Sequence, residues 1–306
     1  MRVAVTGATG TIGSALVREL LERGDEVVAL SRDPARAREK LGEDVSAVAW
    51  ANPAAEPAPA HALSGADAVV HLLGEPVDQC WSDEAKQRIR NSRVFGTRYL
   101  VAGLRDADPR PGVLVSQSAT GWYGPRGDEP VDETEPAADD FLAGVVRDWE
   151  AEARAAEEDL GMRLALMRSG VVLSESGGAL GRMMTPFKLG VGGPIAGGGQ
   201  YVPWVHIDDV VGALVCALED DRLRGPINVT APEPATNKEL SKALGRALRR
   251  PALAPVPAFV LKLMYGEMSS IVTTGARVVP ARLSELGYRF RRPDLDDALR
   301  AATGRG

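Results

Sequence analysis

The chain has 306 residues, of which 44% are hydrophobic and 25% are charged, so it can bury a core and is not a disordered tail. Its 36 basic and 42 acidic side chains give a net charge of −6 without a long block of like charge, which argues against a nucleic-acid or anionic-membrane surface. The two cysteines, Cys80 and Cys216, form neither a metal pattern nor a disulfide framework. The longest apolar run, residues 210–218, is too short to cross a bilayer, and the N-terminus reaches Gly7 too soon for a secretory signal. We therefore expect a soluble cytoplasmic protein without a metal site, while its oligomeric state stays open.

Short β-like runs alternate with helical stretches along the first half of the chain, which is the pattern of an α/β fold. Several runs are apolar at successive positions, which suits a parallel sheet covered on both faces. The segments between them are long enough for crossover helices. The predicted strands are residues 3–6, 26–31, 68–73, 112–116 and 163–168. The sequence thus predicts a Rossmann-type, doubly wound parallel sheet.

The pattern changes after about residue 173, where closely spaced glycines interrupt any long element, and the tail from Pro251 mixes prolines with short helical stretches. We expect these parts to form a smaller C-terminal lobe that binds the substrate. The predicted nucleotide domain is residues 1–172 and 201–224, and the predicted smaller lobe is residues 173–200 and 225–306. Within the first domain, the three prolines of residues 52–59 predict an excursion without regular structure.

The first predicted strand runs into a glycine-rich turn and then into a helix over residues 14–23. Gly7 allows a tight turn, Gly10 lets the backbone approach a pyrophosphate, and Gly13 lets the helix pack closely on the strand. The free N–H groups of the helix N-terminus face the anion. The segment predicts a dinucleotide site, with a tight turn that binds no ligand as the alternative. The expected cofactor contacts are Gly7, Thr9, Gly10, Thr11, Ile12 and Gly13.

Arg32 ends the second strand, where an NAD-specific site usually places an acidic residue. The planar cation of Arg32 suits a 2′-phosphate, and Ser31 adds a hydroxyl group. Asp33 is the objection, but Asp33 followed by Pro34 is typical of a helix cap with proline at the first helical position. The sequence therefore favours NADP(H) over NAD. The alternative is that Arg32 is an ordinary solvated arginine.

The next strand is expected to end beneath the adenosine side of the cofactor, where Leu72, Leu73 and Gly74 form a wall. The strand after it leads through Ser116, another expected cofactor contact, into a loop that faces the nicotinamide.

Ser118 and Tyr123 lie on this loop and are the candidate catalytic residues. In the alternative interpretation, Ser118 hydrogen-bonds the cofactor or the loop backbone, and Tyr123 packs against the pocket.

The segment over residues 116–124 and the opening glycine motif resemble the extended short-chain dehydrogenase/reductase superfamily. In most of its members, a helix carries a tyrosine and, four residues later, a lysine that lowers the phenol pKa. This chain lacks the pair, since none of its tyrosines is followed by such a lysine and no lysine occurs between residues 86 and 188. In the helix expected over residues 140–159, Gly144 and Asp148 take the approximate positions, and neither can replace phenol and ammonium.

Other acid–base candidates are weaker. His206 is interpreted mainly as part of a turn into the next helix, which Asp208 or Asp209 would cap. The glutamates Glu150 and Glu152 are expected on a solvated face of their helix.

Over nearly its whole length the chain is similar to a narrower group, the atypical short-chain dehydrogenases/reductases known as the epimerase family. The segments that carry the resemblance are Ser92-Arg93-Val94 with Gly96-Thr97, Asp148-Trp149-Glu150, residues 168–173, 177–180, 192–193, 204–208 and 228–232, and in the C-terminal region residues 257–267, 280–283 and 287–290. The resemblance implies a doubly wound nucleotide domain, a small substrate lobe, bound NADP(H) and no tyrosine–lysine pair.

The resemblance also implies roles for individual residues. Ser31 and Arg32 would bind the 2′-phosphate, and Leu72 and Leu73 would form the adenosine wall. Arg93 would be a further cofactor contact, with a surface ion pair as the alternative.

Arg168 is a further candidate, because it could reach the pocket from the end of its strand. Its alternative is a buried structural pair.

Two functions remain open at this point. The first is an NADP(H)-dependent oxidoreductase or epimerase-like enzyme that acts on a small polar molecule, for which a nucleotide sugar is one candidate. The second is a nonenzymatic NADPH-binding protein with a regulatory or interaction role.

Overall fold

The computed structural model describes residues 1–304 and has a seven-stranded parallel sheet at its centre. In chain order the strands are β1 Arg2–Thr6, β2 Glu26–Ser31, β3 Ser46–Ala49, β4 Ala68–His71, β5 Val113–Ala119, β6 Arg163–Ser169 and β7 Gly225–Val229. Their spatial order is β3-β2-β1-β4-β5-β6-β7, and every neighbouring pair is parallel. The order reverses between β1 and β4, which is where doubly wound sheets bind their ligands. The predicted fold class is confirmed.

Helices cover both faces of the sheet, and others lie outside it. In chain order they are α1 Thr11–Glu22, α2 Pro34–Leu41, α3 Ala60–Leu63, α4 Asp83–Arg105, α5 Phe141–Glu158, α6 Ala179–Lys188, α7 Ile207–Glu219, α8 Asn237–Leu248, α9 Ala258–Tyr265, α10 Ser270–Thr273, α11 Ala281–Glu285 and α12 Leu295–Ala302. Single 3-10 turns lie at Thr120–Tyr123 and Gly266–Ser269.

The sheet has a separate apolar core on each face. Val3 and Val5 of β1 point to the face covered by α1, α2 and α7, and Ala4 points to the face covered by α3, α4 and α5. Because successive side chains of a strand point to opposite faces, a strand that is buried on both sides must be apolar at every position. This explains the continuous apolar runs that predict these strands.

Outside the seven-stranded sheet, the described residues form short strand pairs and a third apolar cluster. Leu180 of α6, Leu240 of α8 and Leu299 of α12 meet in this cluster. The strand pairs are Val171–Leu173 with Trp204–His206, Tyr201–Val202 with Ala235–Thr236, and Pro130–Val131 with Arg277–Val278.

Two strands of the sheet were not predicted. β3 is a short, half-buried edge strand, so it lacks a continuous apolar run. The sequence assigns residues 225–229 to the smaller lobe, but in the structure they form β7, which pairs with β6. A Gly-Pro start and only three buried residues make β7 resemble a turn.

The helix caps agree with the prediction in one case and differ in another. Asp33 caps α2, as the sequence predicts, and Asp140, for which no cap was predicted, caps α5. α7 is capped differently, since the His206 Nδ1 atom accepts the N–H of Asp208 at 3.2 Å. Asp209 instead accepts the N–H groups of two residues of the C-terminal segment, Arg291 and Arg292.

Candidate functional site

The carboxyl ends of four neighbouring strands bring most of the predicted cofactor residues to one edge of the sheet. Thr6 at the end of β1 lies opposite Leu30 of β2 and His71 of β4, and His71 lies opposite Ser116 of β5. The segments that leave these strand ends therefore start side by side. The predicted residues gathered at this edge are Gly7, Thr9, Gly10, Thr11, Ile12, Gly13, Ser31, Arg32, Leu72, Leu73, Gly74 and Ser116.

The glycine turn is held by close backbone approaches. Gly7 has a φ of +66°, and a Cβ atom there would lie 2.6 Å from the Leu72 carbonyl oxygen. A Cβ atom on Gly13 would lie only 2.2 Å from the Gly7 carbonyl oxygen. Glycine is therefore required at both positions to pack β1, α1 and the end of β4 together.

The N-terminus of α1 opens onto this edge with its N–H groups available. Gly10 occupies the cap position, no side chain caps the helix, and its first turn contains no acidic residue. Uncapped N–H groups and the positive end of the helix dipole attract an anion. The turn therefore fits a pyrophosphate group.

Arg32 is exposed at the end of β2, and within residues 1–304 its guanidinium forms no hydrogen bond or ion pair. The neighbouring Asp33 carboxylate instead accepts the N–H of Arg36 at 3.1 Å and caps α2. The Ser31 hydroxyl accepts the Asp33 N–H at 3.2 Å and donates to the Asp33 carbonyl oxygen at 3.0 Å. The end of β2 thus carries a cation without a partner among the described residues, next to a hydroxyl group.

Arg93 lies against the predicted adenosine wall as a partly buried cation. Its Cζ atom would be 3.1 Å from a Cβ atom on Gly74, and its Nη1 atom donates to the Glu75 carbonyl oxygen at 2.9 Å. Burial lowers the pKa of Arg93 to about 10. No salt bridge to Arg93 occurs in the described part of the chain, so the geometry does not correspond to the alternative of a surface ion pair. The guanidinium is suited to a polar or anionic ligand group.

Arg168 is enclosed in a buried ion pair near the carboxyl end of β6. Its Nε and Nη2 atoms donate to the two carboxylate oxygens of Glu150 at 2.8 and 2.9 Å. Although burial opposes it, the Glu150 carboxylate raises the pKa of Arg168 above its ordinary value. The geometry corresponds to the structural alternative for Arg168.

Glu150 is inside the protein, so the expectation of a solvated position was wrong. Its side chain is completely buried, whereas Glu152 is partly exposed. A signal for this was present in the sequence, because Val146, Glu150 and Ala153 follow the inward stripe of α5 at spacings of four and three residues.

The two candidate catalytic residues belong to the same buried network. The Ser118 hydroxyl donates to Glu150 Oε1 at 2.7 Å. The Tyr123 hydroxyl donates to Asn228 Oδ1 at 2.6 Å and accepts from Arg168 Nη1 at 3.1 Å. Burial raises the pKa of Tyr123 to about 12. The structure therefore gives both hydroxyl protons protein acceptors.

Sequence reasoning missed Asn228 and Lys40. Asn228 lies on β7, which was not predicted, and its N–H group donates to the buried Glu133 carboxylate at 2.9 Å. The Lys40 Nζ atom donates to the Thr9 carbonyl oxygen at 2.7 Å, and nothing in its local sequence indicates this contact.

Between residues 1 and 304, no helix is both long and apolar enough to cross a membrane. In the same part of the chain, no three His, Cys, Asp or Glu side chains gather as a metal site would require.

Two family models match this chain, one after the other along the sequence. A model described as the NAD dependent epimerase/dehydratase family matches residues 3–230, and a domain of unknown function matches residues 256–302. The "Epimerase family protein SDR39U1 homolog, chloroplastic" of Arabidopsis thaliana is 40% identical over 304 residues, which cover 98% of this chain and 86% of the relative.

Solved structures agree with these matches. The crystal structure of human epimerase family protein SDR39U1 with NADPH is 36% identical, with a TM-score of 0.88 and coverage of 99% of both chains. A structure named as the nucleoside-diphosphate sugar epimerase from Corynebacterium glutamicum is 33% identical, with a TM-score of 0.79, and covers 99% of this chain and 58% of that one. The similarity to the human protein therefore extends over nearly the whole length of both chains.

Proposed function

The chain belongs to the NAD dependent epimerase/dehydratase family, in its atypical short-chain dehydrogenase/reductase branch, and we propose that it binds NADP(H) and transfers hydride to or from a small polar substrate. The observation that carries the cofactor proposal is the unpaired guanidinium of Arg32 at the end of β2. An acidic residue at this place would favour NAD, but the only one nearby, Asp33, is engaged as the cap of α2.

The other residues of this edge would contact different parts of the cofactor. The N–H groups at the start of α1 would bind the pyrophosphate, and Leu72 and Leu73 would contact the adenosine. Arg93, whose guanidinium lies against Gly74, would donate a further hydrogen bond to the cofactor. The human relative whose crystal structure contains NADPH supports this assignment, because it is similar over the full length.

The nicotinamide supplies the hydride chemistry when it is bound. The chain's own residues restrict which groups could supply or accept the accompanying proton. No lysine follows a tyrosine at the required spacing, and Ser118 and Tyr123 donate their protons inside the protein. In the direction of reduction the accompanying proton would then come from solvent, and in the direction of oxidation the substrate would release it to solvent. A nucleotide sugar is one candidate substrate, and the name of the Corynebacterium glutamicum protein supports it.

Titration calorimetry with NADPH and NADH tests the cofactor proposal. The parent protein should bind NADPH more tightly, and Arg32→Ala should weaken NADPH roughly tenfold or more without affecting NADH, because only NADPH carries the 2′-phosphate. Arg18→Ala is the control, since Arg18 is an exposed cation on α1. Equal affinities of the parent protein for the two cofactors would refute the proposal.

A second candidate function is cofactor binding without catalysis. The enclosure of both Ser118 and Tyr123 favours it. Two incubations separate the two candidates. NADPH deuterated at C4 of the nicotinamide is offered to a panel of carbonyl compounds, which can accept the deuteride, and NADP⁺ is offered to nucleotide sugars, which can donate hydride. Label in a product, formation of NADPH or formation of an epimer establishes the enzyme, whereas a protein that binds the cofactor and gives none of these favours the binding protein.

A further inference from the structure

Lys40 reaches the cofactor edge from the last turn of α2. Its Nζ atom donates to the carbonyl oxygen of Thr9, inside the glycine turn, at 2.7 Å. Side chains on a helix lean toward its N-terminus, and α2 starts at the carboxyl end of β2. The stem of Lys40 therefore runs back along the helix to the edge where the predicted cofactor residues lie.

The ammonium group of Lys40 keeps most of its binding capacity. It has three N–H donors, of which the Thr9 carbonyl takes one. Lys40 is exposed, and in residues 1–304 no carboxylate forms a salt bridge with it. Two donors and an uncompensated charge therefore remain for a ligand while the bond to Thr9 is kept.

The position of Lys40 points to one part of the ligand. α2 packs on β2 and β3, so Lys40 approaches the glycine turn from the side of Arg32. The turn and Arg32 leave adjacent strands, because Thr6 pairs with Leu30, and adjacent strands are about 4.8 Å apart. Arg36 lies one turn before Lys40 on the same helix face and adds to the positive charge there.

We propose that Lys40 is a second cation for the 2′-phosphate of NADP(H) and that, together with Arg32, it sets the preference for NADP(H) over NAD(H). This inference rests on the proposed function. The pyrophosphate is the other anion of the cofactor, but the uncapped N–H groups at the start of α1 are available to bind it.

The test compares Lys40→Gln with Arg38→Gln. Both changes remove one positive charge from α2, but the Arg38 Nη1 atom donates to the Ala47 carbonyl oxygen, on the β3 side of the helix. Calorimetric dissociation constants for NADPH and NADH are measured at low salt, where exposed charges are screened least. Lys40→Gln should weaken NADPH roughly tenfold and change NADH by less than about twofold. Arg38→Gln should change neither by more than about twofold.

Three results would overturn the inference. Equal weakening of both cofactors by Lys40→Gln would assign Lys40 to the pyrophosphate or to support of the turn, and an unchanged NADPH affinity would give it no role. A similar loss of NADPH affinity in Arg38→Gln would show a general charge effect. The proposed function is tested separately, on the parent protein. If the parent binds NADPH and NADH equally well, the proposed preference for NADP(H) is refuted whatever the variants show.

Discussion

Arg168 and Glu150 form a bidentate ion pair that is sealed inside the protein, with Nε to Oε1 at 2.8 Å and Nη2 to Oε2 at 2.9 Å. The pair connects the carboxyl end of β6 with α5. The guanidinium also lies 3.9 Å from the ring centre of Trp122, so its open face is covered by an aromatic side chain. In place of a tyrosine and lysine directed at a substrate, α5 thus contributes a buried carboxylate that organises the loop after β5.

Glu150→Gln should destabilise the protein by about 3–5 kcal/mol, because it leaves the charge of Arg168 buried without a counterion. Urea unfolding followed by circular dichroism measures the free energy of unfolding. Glu152→Gln is the matched control on the same helix, since Glu152 pairs with Arg98, whose side chain is 54% exposed. The control should lose less than about 1 kcal/mol, and equal losses in the two variants would contradict a special role for the buried pair.

Tyr123→Phe should lower the free energy of unfolding by about 1–2 kcal/mol and leave NADPH affinity unchanged. The substitution leaves the Asn228 Oδ1 atom without its donor and the Arg168 Nη1 atom without one acceptor. Urea unfolding and calorimetry provide the two measurements. Tyr265→Phe is the control, because Tyr265 is exposed and should lose less than about 0.5 kcal/mol.

Hydride transfer gives Tyr123→Phe a second readout. If the deuterium assay finds a substrate, the variant should retain transfer within about tenfold, since the buried phenol only positions Arg168 and Asn228. Complete loss of transfer with normal stability would instead identify Tyr123 as the proton donor.

The cofactor edge could be predicted because its residues are adjacent in sequence to the strand ends that position them. The spacing of Gly7, Gly10 and Gly13 reports a local turn, and Arg32 follows directly after β2. Both features can be recognised without knowing any contact between residues that are distant in sequence.

The buried network could not be predicted in the same way. Tyr123 meets Asn228 across 105 residues, and the strand that carries Asn228 has no distinctive apolar pattern. Lys40 meets Thr9 only because α2 and the glycine turn are folded together. The inward position of Glu150 was visible in the period of α5, but burial of a charge is expected only once its partner is known.

His71 makes the stability of the protein depend on pH in a defined window. Its ring lies between the hydroxyl groups of Thr6 and Thr97, at 2.7 and 3.0 Å, and burial lowers the pKa of His71 from 6.5 to about 3. Between these values the unfolded chain binds a proton that the folded protein does not bind. The contribution is therefore complete above pH 6.5 and is lost by about 1.4 kcal/mol per pH unit as the pH falls toward 3.

Urea unfolding at pH 7.0 and 5.0 measures this contribution when the parent is compared with His71→Gln. The loss of stability between the two pH values should be about 2 kcal/mol greater in the parent, because carboxylates shift both proteins equally. His61→Gln removes an exposed histidine and should behave like the parent. If His71→Gln does not fold, NMR of the parent decides, since a His71 ring that titrates above pH 5 would contradict the prediction.

Gly13→Ala should damage the cofactor site and the fold together, because the same backbone approach serves both. The new Cβ atom would lie 2.2 Å from the Gly7 carbonyl oxygen and 2.8 Å from the Cα atom of Ala8, so α1 must move away from β1. We expect a loss of about 1–3 kcal/mol in the free energy of unfolding, together with the loss of NADPH binding. Gly127→Ala is the control, since nothing lies within 4 Å of a Cβ atom there. Tight NADPH binding by folded Gly13→Ala would show that the start of α1 does not bind the pyrophosphate.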